Sequence, residues 1–194
     1  MAIDSGRIEA AVAEILAAIG DDPTRDGLAR TPERVAAMAA DLFAGVGVDP
    51  AGPLRQSQGF DGAAERFGEL VAIRGIAFRS VCEHHLLPFR GTASIVYRPG
   101  ERIVGLGALA EVVEIAAARP QLQERLTERI ADAIDEGLSP RGVLVSLEAA
   151  HGCVSDRGPR QERAETVTLA TRGEFADPVG RAEAIVLLGS GARS

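Results

Sequence analysis

The order of the predicted elements indicates an α+β domain in which an antiparallel sheet carries its helices on one face. Two strand-like runs come first, two segments with helical spacing follow, and two further strand-like runs complete the pattern. The strands are predicted over 69–78, 90–98, 141–149 and 163–171, and the helices over 106–119 and 120–137. Pro120 is expected to open the second helix, and Pro88 to keep segment 80–89 out of the sheet as a loop. The apolar tail over 181–188 fits a helix or a strand.

The first third of the chain is predicted to form a helical arm followed by a long connection. Apolar residues recur at helical spacing over 5–19, and Thr31, followed by proline, is the predicted N-cap of a second helix. Residues 44–62 are rich in Gly, Pro and Gln, a composition typical of loops. We therefore expect an N-terminal helical arm and connection over 1–62 and a main domain over 63–194.

Composition excludes several classes of function. The chain has 21 basic and 28 acidic residues and a net charge of −7, which argues against a nucleic-acid-binding surface. No apolar run is as long as a membrane span, and no signal peptide is recognised, so we expect a cytoplasmic protein without membrane attachment. All basic residues are arginine, which excludes a Schiff-base lysine and a Walker-type phosphate lysine.

Residues that commonly bind metals are concentrated in two short segments. The chain has two cysteines and three histidines, and all of them lie within 80–90 or 149–154. A lone Cys or His is usually a core residue, but unrelated core residues would not cluster in this way. The pattern therefore indicates a joint site formed by Cys82, His84, His85, His151 and Cys153.

Three interpretations of this cluster are open. A disulfide between Cys82 and Cys153 is disfavoured in a cytosolic protein and leaves the histidines unexplained. A closed structural zinc site would need four ligands, with His151 joining the two cysteines and His85. A catalytic zinc site would use Cys82 and His85, three residues apart, with Cys153 and a water molecule. Because His84 and His151 would then be free as general acids or bases, we favour the catalytic interpretation.

Several motifs together resemble the GTP cyclohydrolase I family. They are Thr31-Pro-x-Arg34, Cys82-Glu-His-His85, Pro88-Phe-x-Gly91, Gln121-x-Gln-Glu-Arg-Leu-Thr127, Glu148-Ala-x-His-x-Cys153 and Arg157-Gly158. The resemblance extends over about residues 7–188. It implies a tunnelling fold (T-fold), in which a four-stranded antiparallel sheet is backed by two helices and preceded by N-terminal helices. It also implies a homodecamer of two pentamers, with active sites between subunits.

The resemblance further implies a zinc-dependent hydrolase with assigned site residues. Its reaction opens the imidazole ring of a guanine nucleotide at C8, releases formate and forms a dihydropterin. The implied roles are zinc binding by Cys82, His85 and Cys153, proton transfer by His84 and His151, guanine recognition by Gln123 and Glu124, and substrate phosphate binding by Arg34 and Arg157. A carboxylate suits guanine recognition because it accepts hydrogen bonds from the N–H groups of the base.

One stretch departs from the family pattern. Gly107, Ala108 and Glu111 stand where the family usually has serine, lysine and arginine, and Ala37 replaces a further lysine. Since Lys and Arg anchor phosphates, we expect a guanine substrate with fewer phosphates than GTP, unless other arginines compensate. The alternative hypothesis is a non-catalytic, zinc-binding paralogue that acts as an interaction or regulatory subunit.

Overall fold

The computed structural model describes residues 3–56, 58–59 and 70–189, which form an α+β fold that fits the T-fold class. The helices are α1 (Ser5–Ala18), α2 (Thr31–Leu42), α3 (Leu106–Ala117), α4 (Gln123–Leu138), α5 (Gly152–Ser155) and α6 (Pro178–Gly189). The strands are β1 (Gln58–Gly59), β2 (Val71–Cys82), β3 (Pro88–Arg98), β4 (Arg102–Ile103), β5 (Pro120–Gln121), β6 (Gly142–His151) and β7 (Glu165–Gly173). Among these residues, no helix combines the length and apolar character needed to cross a membrane.

The N-terminal helices α1 and α2 pack against each other. The Asp4 carboxylate caps α1 by accepting a hydrogen bond from the Arg7 backbone N–H at 3.0 Å. The second helix starts one residue earlier than predicted, because Thr31 is its first residue and Arg30 occupies the N-cap position without a side-chain cap. The predicted domain boundary between residues 62 and 63 lies outside the described residues, so the division of the chain stays a prediction.

The main sheet has the strand order β5-β2-β3-β6-β7. Its four long strands pair antiparallel, whereas β5 pairs parallel with the end of β2, so the sheet is mixed rather than purely antiparallel. Pro120 therefore lies in a strand, and the prediction that it opens a helix is wrong. The segment pairs with Val81 and Cys82, and the buried Gln121 side chain anchors it by donating to the Ala116 carbonyl at 3.2 Å.

The loop predicted over 80–89 is shorter in the structure. Strand β2 continues to Cys82, and Pro88 is the first residue of β3, where it pairs with Val81. A proline is compatible with the first position of a strand because the sheet needs no donor from it there. Hydrogen bonds from Cys82 N to Leu87 O (2.8 Å) and from Leu86 N to Cys82 O (2.9 Å) close the remaining turn.

Helices cover both faces of the sheet, not one face as predicted. Helices α3 and α4 pack on one face, with side chains such as Ile95 and Val145, which are fully buried. The alternating residues Val96 and Leu144 point to the opposite face and are also fully buried, under Phe175 and helix α6. The apolar tail is therefore a helix, since a helix can cover this second patch of strand side chains.

Part of the long connection belongs to the core of the main domain. Ala51 and Leu54, in and beside the 3-10 turn Gly52–Gln56, are buried with the side chains of α3 and α4. The Gly45 N–H also donates to the Ala118 carbonyl at 2.9 Å, beyond the end of α3. The described part of the connection, from Gly45 to Leu54, is thus fixed to the domain that holds the candidate site.

Gly91 is predicted to be essential for the pairing of β3 with β6. A Cβ atom at this position would overlap the Glu148 carbonyl oxygen and lie 2.7 Å from Ala149 Cα. We expect Gly91→Ala to lower the free energy of unfolding by about 1–3 kcal/mol, the usual cost of overpacking. Urea unfolding followed by circular dichroism measures this difference.

Gly107 provides the matched control, because a Cβ atom there would meet no atom within 4 Å. Since Gly107 lies in α3, Gly107→Ala should leave stability unchanged or raise it by up to about 1 kcal/mol. Equal unfolding free energies for the two variants would contradict this account of Gly91.

Candidate metal centre and active site

Three predicted metal ligands converge at one end of the sheet. Cys82 is the last residue of β2, His85 lies in the turn that follows, and Cys153 lies in the short helix α5 after β6. Cys82 Sγ lies 4.0 Å from His85 Nδ1, and the ligand atoms of all three residues lie within 4.8 Å of one another. The β2–β3–β6 pairing therefore brings together residues that are about 70 positions apart in the sequence.

The donor set fits a zinc ion. Both cysteines are free thiols, so the structure does not pair them as a disulfide. Zn–S bonds of about 2.3 Å and Zn–N bonds of about 2.0 Å in a tetrahedron require donor separations of roughly 3.5–3.8 Å. The separation of 4.0 Å between Cys82 Sγ and His85 Nδ1 is slightly larger than this. Two thiolates and an imidazole suit Zn²⁺ and leave one coordination position for a water molecule.

The electrostatic surroundings of the thiols also favour a bound cation. Burial and the neighbouring Cys82 sulfur raise the pKa of Cys153, while Arg157 acts in the opposite direction. Two thiolates this close would repel each other without a compensating positive charge. A divalent cation supplies that charge and stabilises the deprotonated ligands.

The two histidines assigned to proton transfer lie beside this cluster and outside its donor set. His84 is exposed in the turn after β2, with its ring 6.2 Å from the His85 ring, centre to centre, and almost perpendicular to it. His151 ends β6, and its ring stacks on Phe89 at 4.7 Å with an interplanar angle of 5°. The structure thus brings all five cysteines and histidines to one end of the sheet, as predicted from their clustering.

The environment of His151 favours its neutral form. Burial lowers the pKa of this imidazole, and the negative charge of Glu124 partly offsets that effect. Its Nε2 atom lies 2.7 Å from Gln123 Oε1. A neutral imidazole near pH 7 can accept a proton, as a general base requires.

The two residues assigned to guanine recognition have different surroundings. Gln123, the first residue of α4, is 1% exposed, and its amide is hydrogen-bonded to β6, β7 and His151. Glu124 is the next residue and is exposed to solvent. Among the described residues, only Glu124 of this pair therefore offers its polar group to a ligand.

The two arginines assigned to phosphate binding lie on different elements, Arg34 on α2 and Arg157 after α5. Arg157 is exposed and close enough to Cys153 to influence its pKa. Arg34 is exposed on α2, and no hydrogen bond or ion pair within the described part of the chain joins it to the metal cluster. Within the described residues, an interaction with the metal cluster is therefore seen for Arg157 alone of these two arginines.

The positions that depart from the family pattern lie on α3. Gly107 and Ala108 are in its first turn, and Glu111 is near its middle. The other end of this helix reaches the site, where Ser80 Oγ donates to the Ala117 carbonyl at 2.7 Å. At about 1.5 Å per residue, Gly107 lies roughly 15 Å along the helix from Ala117.

Sequence reasoning missed the side chains that support His151. Phe89 stacks on its ring, and Thr168 donates and accepts hydrogen bonds in the network that holds Gln123. Phe89 belongs to the quoted Pro88-Phe-x-Gly91 motif and pairs with His151 in the register of β3 and β6. Correct strand limits and register would have been needed to find this contact.

Comparison with known proteins identifies the family of the chain. The family model for GTP cyclohydrolase I matches residues 8–188. GTP cyclohydrolase 1 of Leifsonia xyli subsp. xyli is 57% identical over 195 residues, which cover 97% of each chain. The Rhodopirellula baltica protein of the same name is 50% identical over 96% of this chain and 80% of its own, and that of Bacillus subtilis is 48% identical over 94% and 95%. The chain described here belongs to the GTP cyclohydrolase I family.

Proposed function

We propose that this chain is a zinc-dependent hydrolase that opens the imidazole ring of a guanine nucleotide at C8. The products are formate and a dihydropterin, which serves tetrahydrofolate biosynthesis in the cytoplasm. The observation that carries the proposal is the convergence of Cys82, His85 and Cys153 beside two histidines that are outside the donor set. A structural zinc site would not need two further histidines at its edge.

Each residue of the site has a defined task in this proposal. Cys82, His85 and Cys153 would hold zinc, which when bound supplies an activated water molecule for hydrolysis. His151, neutral and partly buried, takes up and returns protons at the substrate, and the exposed His84 is the second proton-transfer group. Glu124 accepts hydrogen bonds from the N–H groups of guanine, a task for which its exposed carboxylate is suited.

We further propose that the active site forms between subunits of a homodecamer. Within the described part of one chain, no hydrogen bond or ion pair joins Arg34 or the altered positions of α3 to the metal cluster, which is consistent with a site completed by a neighbouring chain. Strand β7 lies at the edge of the sheet and exposes Val167 and Leu169, which supports pairing with a neighbouring chain. A neighbouring subunit could then bring its α3 to the site.

The substrate is proposed to carry fewer phosphates than GTP. The beginning of α3 has no cationic side chain at its altered positions, and Glu111 adds an exposed carboxylate. A carboxylate repels a triphosphate, whereas the lost lysine and arginine would attract it. The same departures favour the second candidate function, a non-catalytic regulatory subunit, and release of formate from a guanine compound would exclude that alternative.

Substitution of the metal ligands should separate zinc binding from proton transfer. Cys82→Ala and Cys153→Ala each remove an ionic ligand, so we expect zinc to fall from about one per chain to near zero and turnover to be abolished. Elemental analysis of the purified variants and a formate assay with guanine nucleotides provide the two measurements.

His84→Ala and His151→Ala are the matched variants for this experiment. They should keep about one zinc per chain and lose at least about a hundredfold in rate, the usual effect of removing a general acid or base. Loss of zinc from either variant would make that histidine a ligand. Full activity of a metal-free preparation would overturn the proposed role of zinc.

A comparison of substrates tests the proposed phosphate preference. We expect kcat/KM for GTP to be no higher than for GMP or guanosine at the same salt concentration. Each missing charge-assisted contact is worth about 1.5–3 kcal/mol in a partly buried site. The combined variant Gly107→Ser, Ala108→Lys, Glu111→Arg should raise kcat/KM for GTP at least about tenfold, with a smaller effect on guanosine.

Glu14→Arg serves as a charge control, because Glu14 is exposed on α1 and far from α3 in sequence. It should leave the ratio of kcat/KM values for GTP and guanosine unchanged. If the unmodified chain prefers GTP by tenfold or more, the proposed preference is wrong and other arginines bind the triphosphate.

A further inference from the structure

The orientation of the Gln123 side-chain amide is determined by its buried surroundings. One end of the amide faces the carbonyl oxygens of Leu147 and Thr166 at 3.2 and 2.8 Å. Carbonyl oxygens only accept hydrogen bonds, so the group that faces them must be the NH₂ group. The reversed amide would place its own oxygen against two other oxygens in a buried site, which is unfavourable.

A chain of hydroxyl groups is consistent with the same orientation. Gln123 Nε2 donates to Thr168 Oγ1 at 3.1 Å, and the Thr168 and Thr127 hydroxyl oxygens are 2.6 Å apart. The Thr127 hydroxyl in turn donates to the Gln123 backbone carbonyl at 2.8 Å. Each hydroxyl therefore has one donor and one acceptor partner only if the NH₂ group of Gln123 points towards Thr168.

The orientation of the amide decides which nitrogen of His151 carries the proton. With its NH₂ group committed to β6 and β7, Gln123 presents Oε1 to His151 Nε2 at 2.7 Å. An oxygen acceptor at this distance requires an N–H donor, so Nε2 is protonated. In the neutral imidazole the other nitrogen, Nδ1, is then without a proton and can accept one.

We infer that Gln123 is a positioning residue that holds the His151 ring in its Nε2–H tautomer, instead of contacting guanine directly. Phe89 stacks on the ring and fixes its plane, while Gln123 fixes its rotation about that stack. The kinetic consequence rests on the proposed function, whereas the tautomer itself does not.

Nitrogen-15 NMR of the histidine rings tests the tautomer without any turnover. The chain has only three histidines, so His151 can be assigned by comparison with His84→Ala and His151→Ala protein. At about pH 8, above the ordinary imidazole pKa of about 6.5, solid-state spectra of the intact, zinc-loaded protein should show Nε2 protonated and Nδ1 unprotonated. Gln123→Met removes the oxygen acceptor at similar length, and we expect a mixture of both tautomers in this variant.

Kinetics distinguish positioning from direct recognition of guanine. Gln123→Met should lower kcat by about 10- to 100-fold, the effect expected when a supporting hydrogen bond is lost, with KM changed less than about threefold. Gln123→Glu should restore part of kcat, because a protonated carboxyl group can donate to Thr166 O and still present an oxygen to His151. Thr168→Val is the control: it removes one hydroxyl but leaves both carbonyl partners of Gln123, so the tautomer should be unchanged.

Three results would overturn the inference. They are an Nδ1–H tautomer in the unsubstituted protein, a His151 spectrum unaffected by Gln123→Met, and a KM increase without a loss of kcat. If no guanine compound is turned over, the proposed function fails, but the NMR spectra still decide whether Gln123 sets the tautomer. If Gln123→Met does not fold, the His151 tautomer is compared between the unsubstituted and Gln123→Glu proteins instead. An Nδ1–H tautomer in the unsubstituted protein would again overturn the inference.

Discussion

The register between β3 and β6 is the constraint on which the candidate site depends. It places Phe89 opposite His151 and Gly91 opposite Ala149. Phe89 and Ala149 are buried on the face of the sheet that α3 and α4 cover. Successive residues of a strand point to opposite faces, so a shift of one residue would turn His151 away from α4. The same shift would change the place where β6 ends, and with it the position of Cys153 relative to Cys82. The absence of a side chain at Gly91 allows the close approach on which this register rests.

Helix α4 connects the register of the sheet to the chemistry of the site. Its first residue, Gln123, is buried and joins β6, β7 and His151 through one amide group. Its next residue, Glu124, is exposed, so one helix start supplies an internal support and an external carboxylate. Arg125, also on α4, forms an ion pair with Glu83 at 3.2 Å. This contact connects α4 to the turn between β2 and β3, in which Glu83 lies between Cys82 and His84. Buried polar groups with all partners satisfied hold such an arrangement in one conformation.

Much of the candidate metal centre could be predicted from the sequence, because Cys and His are rare in this chain and their clustering is visible without a fold. The α+β class and the four long strands also followed from periodicity. The parallel strand at Pro120 could not be predicted, since it depends on pairing with the distant end of β2, and neither could the second covered face of the sheet. The partners of Gln123 are equally invisible in a motif, because its contacts come from two strands 24 to 45 residues away.

Zinc-edge X-ray absorption spectroscopy tests most directly the central claim of a three-ligand site with one open position. The account predicts two sulfur atoms at about 2.3 Å and two lighter atoms at about 2.0–2.1 Å, with outer-shell scattering from a single imidazole. Scattering from two imidazoles would show a second histidine as ligand and therefore a closed, structural site. That result, or a zinc shell without sulfur, would contradict the account.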